Sequence, residues 1–148
     1  MKKENEPTLF ELLGGRPTLE KAHKIFYDKI YADPWLGQFF TNISRDHIEN
    51  QQTDFMSQAM GGPENYYGAF PIPAHMHMNI TKELVALRSD LLAKSLEEVG
   101  ISAELAKRWL KIDAAFAKGI VKNSVADCQK RYFTDTILDI KDPKKSAA

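Results

Sequence analysis

Residues 61–68, GGPENYYG, and residues 75–80, HMHMNI, carry the strongest signal for the fold of this chain. The paired glycines predict the end of a helix, because glycine takes a positive φ angle at little cost. The glycines and aromatic residues that follow predict a loop, and the second stretch predicts a short apolar turn with a histidine. Such a turn could present a buried imidazole to a flat metal cofactor.

Helices separated by short breakers are predicted on both sides of this stretch, and strand signals are nearly absent. The predicted helical segments are 8–13, 17 to about 32, 34–40, 44–60, 81–99 and 102 to about 123. Residues 125–140 are expected to extend the last helix or to add another. In that region Tyr132, Phe133, Ile137 and Leu138 could form an apolar face that packs on the domain. The predicted fold class is therefore all-α.

Length and composition indicate which classes of protein the chain could belong to. Its 148 residues suit one domain, with 43% apolar residues. We expect a flexible N-terminus at 1–7, a globular domain at 8–124, and a partly helical C-terminal extension with a frayed tail at 125–148. The 20 basic and 20 acidic residues balance, which argues against nucleic acid as a partner. No apolar run suits a membrane span or a signal peptide, so we expect a cytoplasmic protein without a membrane partner.

Two polar side chains interrupt apolar helix faces. Tyr27 lies beside the face formed by Leu19, His23, Phe26 and Ile30. Gln52 lies within the face formed by Ile48, Phe55, Met56 and Ala59. A buried polar group without a hydrogen-bond partner costs roughly 1–3 kcal/mol. The Tyr27 hydroxyl and the Gln52 amide should therefore each have a hydrogen-bond partner. The two side chains could satisfy each other or a backbone carbonyl, or they could serve a ligand.

His75 and His77 are the two histidines of the predicted turn. Residues that are two apart on a helix point in different directions, so the two histidines cannot both face one ligand. One of them is therefore expected to lie outside the site. His75 and Met78 share a face at spacing i, i+3, which suits a flat macrocycle. A structural zinc site is disfavoured, because it needs about four ligands and Cys128 is the single cysteine.

An ordered set of short motifs resembles the truncated haemoglobins, the short two-over-two helical globins. The set consists of LFELLGG at 9–15, FYD at 26–28, ADP at 32–34, FF at 39–40, QTDF at 52–55, MGGP at 60–63, Tyr66 with Gly68, and His75 with Met78 and Ile80. The resemblance covers residues 9 to about 124. It implies a two-over-two helical sandwich around haem b, iron protoporphyrin IX, with the extension as an added helical region.

The resemblance also implies roles for individual residues. His75 matches the proximal iron ligand, and Tyr27 and Gln52 match the distal hydrogen-bond donors. Phe40 matches the aromatic that wedges against the porphyrin. The other residues expected at the cofactor are Phe26, Ile48, Phe55, Met56, Tyr66, Met78, Ile80 and Arg88. The Tyr and Gln pair places the chain closest to the subgroup that carries it.

Arg88 departs from the family pattern, since it falls in the apolar stripe of its helix where one subgroup has tryptophan. A charge there needs a partner. It could reach a haem propionate, pair with a carboxylate such as Asp90 or Glu83, or extend along the helix to solvent. The sequence favours an exit to propionate or solvent over a cation in the distal cavity.

Reversible binding of dioxygen and other diatomic ligands, nitric oxide and carbon monoxide, is the function that the resemblance implies. An enzymatic alternative is nitric oxide dioxygenation or a peroxidase-like reaction at the same haem. Dioxygenation would require a separate reductase, because the sequence shows no flavin or nicotinamide domain. A second alternative is a haem-free globin module that senses or binds a partner.

Overall fold

A computed structural model describes residues 6–146 of the chain, and its regular elements in that range are helices. The α-helices are α1 (Leu9–Leu13), α2 (Arg16–Ala32), α3 (Arg45–Ala59), α4 (Pro71–His75), α5 (Lys82–Val99), α6 (Ala103–Lys118) and α7 (Pro143–Ser146). Two 3₁₀ helices span Leu36–Phe40 and Val125–Asp127. The all-α prediction is confirmed, and the predicted ends of the first five segments agree closely with the observed helices.

Side-chain caps fix where the helices begin. The hydroxyls of Thr8, Ser44, Thr81 and Ser102 each accept a hydrogen bond from the backbone N–H three residues later. Such a bond satisfies one of the free N–H groups of the first turn. Glycine then ends α1 and α5, where Gly14 and Gly100 adopt φ angles of 101° and 87°.

The long helices form two pairs, α2 with α3 and α5 with α6, and α2 also packs against α5. The short α1 lies against α2 and α6. Fully buried side chains from all four long helices meet in the core, among them Leu19, Phe26, Ile30, Met56, Leu84, Leu92, Leu96 and Trp109. The two pairs therefore share one hydrophobic core, which is the two-over-two arrangement.

A capped corner connects α2 to the first 3₁₀ helix. The carboxylate of Asp33 accepts hydrogen bonds from the backbone N–H groups of Trp35 and Leu36, at 2.9 and 2.8 Å. The corner turns the chain so that Phe40 approaches Tyr27, with ring centroids 6.0 Å apart. This contact brings an aromatic wall to the inner face of α2.

The region after α6 differs from the expectation. The helix ends at Lys118, before the predicted limit near 123, and residues 128–142 contain no helix. The backbone N–H groups of Gln129 and Leu138 donate to carbonyl groups of the loop after α4. Because those donors are bonded across the molecule, they do not support a helix.

The apolar face expected in this region is also absent. Tyr132 and Phe133 are 58% and 95% exposed, whereas Leu138 packs against the core. The chain bends and turns at residues 131–134, so these residues do not share one face. The expectations for residues 1–5 and for residues 147–148 lie outside the described range. Within residues 6–146, no helix combines the length and the apolar character that crossing a membrane requires.

Candidate functional site

A cavity of about 670 Å³ lies between the two helix pairs. Sites that enclose a drug-sized molecule or a cofactor typically measure roughly 300–1,000 Å³. The wall of this cavity includes every residue that the sequence singled out for the site. Those residues are Phe26, Tyr27, Phe40, Ile48, Gln52, Phe55, Met56, Tyr66, His75, Met78, Ile80 and Arg88. The fold therefore brings them together around a single space.

His75 is the last residue of α4, and its side chain lies in the cavity wall. Its Nδ1 is 2.7 Å from the carbonyl oxygen of Pro71. Because a carbonyl only accepts, Nδ1–H must donate, and Nε2 keeps its lone pair. Burial lowers the pKa of His75, which favours the neutral ring. A neutral imidazole with a free nitrogen is the form that binds a metal ion.

His77 occupies a different environment, although it is only two residues further along the chain. It is buried, and it is not part of the cavity wall. Its backbone carbonyl accepts a hydrogen bond from Leu138 N at 2.9 Å, and burial lowers the pKa of its ring. The structure therefore separates the two histidines and brings only His75 to the cavity.

Tyr27 and Gln52 reach the cavity from α2 and α3. Within residues 6–146 neither the phenol hydroxyl nor the amide forms a hydrogen bond, so they do not satisfy each other or a backbone carbonyl. The Tyr27 ring is held edge-on by Phe26 and Phe40, with centroids 5.1 and 6.0 Å away. Burial raises the pKa of Tyr27, which keeps the phenol protonated and able to donate.

Arg88 forms an ion pair with a carboxylate inside the molecule, which is one of the alternatives that the sequence left open. Its Nη1 lies 2.6 Å from Oδ2 of Asp113 on α6, and its guanidinium lies 5.2 Å from the centre of the Phe26 ring. The partner is neither of the two carboxylates named as examples, and the favoured exit to solvent was wrong; Asp90 pairs with Lys94. The cause is the orientation of α5, which turns Arg88 toward α6.

An aromatic cluster closes one side of the cavity, next to residues 60–70, the loop that connects α3 to α4. The Phe55 ring contacts Tyr66 and Phe116, with centroids 5.1 and 4.8 Å away. Tyr66 is fixed at both ends, since its hydroxyl donates to the Ala69 carbonyl and its backbone N–H donates to Gln58 Oε1 at 3.3 Å. The loop thus places a rigid apolar surface beside α3.

Sequence reasoning missed six wall residues that carry polar or aromatic groups. They are Phe39, Gln51, Asp113, Phe116, Arg131 and Tyr132. A signal for Asp113 was present, because this acid lies between Trp109 and Ala117 on one face of α6 at spacing i, i+4. The last two residues come from the C-terminal extension, and no local pattern could place them at the cavity.

The donor groups of the cavity suit haem. Within residues 6–146 no three His, Cys, Asp or Glu side chains are close enough together to hold a bare metal ion. His75 offers one nitrogen ligand, so the other ligands of a metal here would have to come from the cofactor itself. The Tyr27 hydroxyl and the Gln52 amide lie in an otherwise mainly apolar wall. A ligand in the cavity could form hydrogen bonds with both groups.

Comparisons with known proteins also indicate a globin. A family model described as bacterial-like globin matches residues 8–122. The group 1 truncated haemoglobin of Tetrahymena thermophila is 34% identical over 107 residues, which are 72% of this chain and 88% of that protein. Truncated haemoglobin of Tetrahymena pyriformis, solved in its Fe(III) form, matches with a TM-score of 0.74 and 32% identity over 79% of this chain and 100% of that chain.

A cyanobacterial structure also matches. It is the 2/2 haemoglobin of Synechococcus sp. PCC 7002, solved in the cyanomet state with covalently attached haem. The TM-score is 0.71 at 25% identity, over 78% of this chain and 98% of that chain. The family match spans α1 to α6, the helices that surround the cavity. The chain therefore belongs to the truncated, two-over-two haemoglobin family of haem proteins.

Proposed function

We propose that the chain binds haem b through His75 and reversibly binds dioxygen and other diatomic ligands, nitric oxide and carbon monoxide. The observation that supports this function is one cavity whose wall holds an imidazole with a free Nε2 and two polar tips without partners, those of Tyr27 and Gln52. Ferrous haem supplies the iron atom that binds such gases when the cofactor is present.

His75 acts in this proposal as the proximal ligand. The hydrogen bond from Nδ1–H to the Pro71 carbonyl fixes the tautomer and restrains rotation of the ring. Burial keeps the imidazole neutral and ready to bind. The apolar wall residues hold the porphyrin and exclude water, and they are Phe26, Phe40, Ile48, Phe55, Met56, Tyr66, Met78 and Ile80. Arg88 borders the same space while Asp113 holds its guanidinium.

Tyr27 and Gln52 act as hydrogen-bond donors to the diatomic ligand. A phenol O–H and an amide N–H can both donate without carrying charge. In a dry cavity such bonds are stronger than in water, so they should slow the escape of a polar ligand such as dioxygen. Carbon monoxide accepts hydrogen bonds poorly and should be affected less. We also propose that the protein acts in the cytoplasm and depends on a separate reductase to return ferric haem to the ferrous form.

Absorption spectra of the purified protein with haem test the proposal. We expect a Soret band, a ferric-to-ferrous shift, and further shifts on addition of dioxygen or carbon monoxide. His75→Ala should abolish stable haem binding, whereas His77→Ala should retain it, because only the first of these rings lies in the cavity wall. Absence of a Soret band in the wild type would leave the haem-free module, and equal losses in both variants would refute His75 as the ligand.

Oxygen dissociation tests the two distal donors. Tyr27→Phe and Gln52→Leu should each speed dioxygen release by about tenfold or more, since a strong hydrogen bond is worth roughly 1.5–3 kcal/mol. Stopped-flow displacement of dioxygen by carbon monoxide measures this rate. Carbon monoxide release, measured in the same variants, is the control and should change much less. Unchanged oxygen rates would remove both residues from the mechanism.

A further inference from the structure

The chain continues past the family match, which ends at residue 122, and the continuation lies along the loop after His75. Residues 125–140 are called the C-terminal strap below. Backbone bonds between strap and loop run from Gln129 N to Met76 O at 2.8 Å, from Leu138 N to His77 O at 2.9 Å and from Asn79 N to Leu138 O at 2.8 Å. Three of the four residues that follow His75 are thereby tied to the strap.

Lys122 reaches the same loop from the segment that leads into the strap. Its ammonium donates to the carbonyl oxygens of His75, Met78 and Ile120 at 3.1, 3.2 and 3.0 Å. Its backbone N–H donates to Ile80 O at 2.8 Å. The carbonyl of His75 lies at the end of α4 and has no partner within that helix, so the ammonium that donates to it stabilises this geometry.

His75 is therefore held at two points. Its ring is fixed through Nδ1 by the Pro71 carbonyl, and its backbone carbonyl accepts hydrogen bonds from Lys122 Nζ at 3.1 Å and from Met78 N at 3.0 Å. The ring bond lies within α4, whereas the Lys122 bond connects α4 to a residue 47 positions away in the chain. Restraint of both the ring and the backbone limits how far the imidazole can move.

The far end of the strap is anchored to the globin core. Trp35 Nε1 donates to the carbonyl oxygen of Ile140 at 2.8 Å, and Asn79 Nδ2 donates to Oδ1 of Asp139 at 2.9 Å. Trp35 itself is buried between α2 and the first 3₁₀ helix. The strap is thus fixed at the loop after His75 and at the corner that follows α2.

The middle of the strap contributes to the cavity wall through Arg131 and Tyr132. Arg131 is oriented by Asp135, with Nε 2.8 Å from Oδ2 and Nη2 2.9 Å from Oδ1. Its guanidinium also lies 5.1 Å from the centre of the Tyr132 ring. The strap therefore borders the same space as His75 and also holds the backbone next to it.

We propose that the C-terminal strap and Lys122 are part of the proximal half of the haem site, and that Lys122 is a positioning residue for His75. This inference rests on the proposed function, since it assigns how the proposed ligand is held. Loss of the Lys122 contacts leaves the His75 carbonyl with the Met78 N–H bond alone, which loosens the end of α4 and lets the imidazole tilt. The consequences are faster haem loss and a changed bond between iron and histidine.

Two measurements on the full-length haem-loaded protein test the proposal. The first is the rate of haem transfer to excess apomyoglobin. The second is the iron–histidine stretching band of the ferrous protein by resonance Raman spectroscopy, which reports the strain on the imidazole. Lys122→Met removes the ammonium and keeps most of the apolar chain. We expect haem loss about tenfold faster or more, because charged hydrogen bonds are worth at least that factor, together with a shifted or broadened stretching band.

Lys107→Met is the matched control, because Lys107 is an exposed lysine of α6 and lies outside the strap. It makes the same change of charge, and both measurements should stay at wild-type values. Lys122→Arg keeps a cationic donor and should restore most of the haem retention. If Lys122→Met does not fold, as judged by circular dichroism, Lys122→Gln replaces it and should show an intermediate effect.

The outcomes separate this inference from the proposed function. A Soret band in the wild type, with equal haem loss and equal stretching bands in Lys122→Met and Lys107→Met, would overturn the role of Lys122 and leave haem binding intact. A lower unfolding midpoint with an unchanged stretching band would assign Lys122 to stability alone and would also overturn the proposal. A wild type without a Soret band would overturn both.

Discussion

Arg88 and Asp113 show how one pair of residues sets the polarity of the interior. The Arg88 side chain is 27% exposed and that of Asp113 is 5% exposed, and they meet at 2.6 Å beside the cavity. Taking two charges out of water is costly, and their attraction repays this cost only while both are present. Each residue therefore depends on the other for its place in the core.

We predict that Asp113→Asn destabilises the protein by about 2–3 kcal/mol, which is below the usual range for a buried pair because Arg88 is partly exposed. The double variant Arg88→Met with Asp113→Leu should lose less than this, since it leaves no charge behind. Urea denaturation measures both free energies of unfolding. The matched control is Asp90→Asn, which breaks the exposed pair with Lys94 and should cost less than about 0.5 kcal/mol. A double variant less stable than Asp113→Asn would contradict this account.

At the scale of helices, glycines decide where the chain reverses. Gly61 follows α3 with a φ angle of 89°, and a Cβ atom there would lie 2.8 Å from Cγ2 of Thr8. Thr8 is the residue whose hydroxyl caps α1. Gly100 has a nearly equal φ angle of 87°, but a Cβ atom there would meet nothing within 4 Å. The two sites therefore share the backbone conformation and differ in the space around it.

We predict that Gly100→Ala costs about 1 kcal/mol, the cost of a left-handed conformation for a residue with a Cβ atom. Gly61→Ala should cost roughly 1–3 kcal/mol more, because the added methyl group must displace Thr8 and disturb the cap of α1. Chemical denaturation of the two variants compares these losses directly. Equal losses at both positions would show that the contact with Thr8 has no energetic effect.

At the scale of the whole molecule, three of the four histidines have lowered pKa values because they are buried. The strongest case is His23, where burial, with smaller effects of Arg88 and Arg16, lowers the pKa from 6.5 to about 3. Its Nδ1 lies 2.7 Å from Oγ1 of Thr53. The folded protein keeps this ring neutral, whereas the unfolded chain can protonate it. Proton binding therefore favours the unfolded state below about pH 6.5.

We predict that the free energy of unfolding falls as the pH drops from 6.5 toward 3, the window set by the two pKa values of His23. At about pH 5, His23 alone should account for a loss of about 2 kcal/mol relative to neutral pH. His23→Gln should reduce this pH-dependence by that amount, as measured by urea denaturation at several pH values. Parallel pH curves for wild type and His23→Gln would contradict the prediction.

Local patterns in the sequence predicted where most of the long helices of this protein begin and end, and which polar side chains interrupt their apolar faces. Capping residues such as Ser44 and Thr81 and stops such as Gly100 act within one or two helical turns, so their effects could be predicted without knowing the packing. The same holds for Tyr27 and Gln52, whose positions on a helix face follow from spacing alone. His75 was found through its turn and through a family resemblance. The roles of these residues toward haem stay predictions.

Tertiary structure alone decided the partner of Arg88 and the path of the C-terminal strap. Arg88 pairs with Asp113 because α5 and α6 present particular faces to each other, and spacing along one helix carries no information about its neighbour. The N–H groups of Gln129 and Leu138 in the strap bond to the loop after His75 and not within a helix, and the position of that loop depends on the whole fold. Contacts between distant segments depend on how complete elements pack, and this is the physical reason why the sequence by itself did not reveal them.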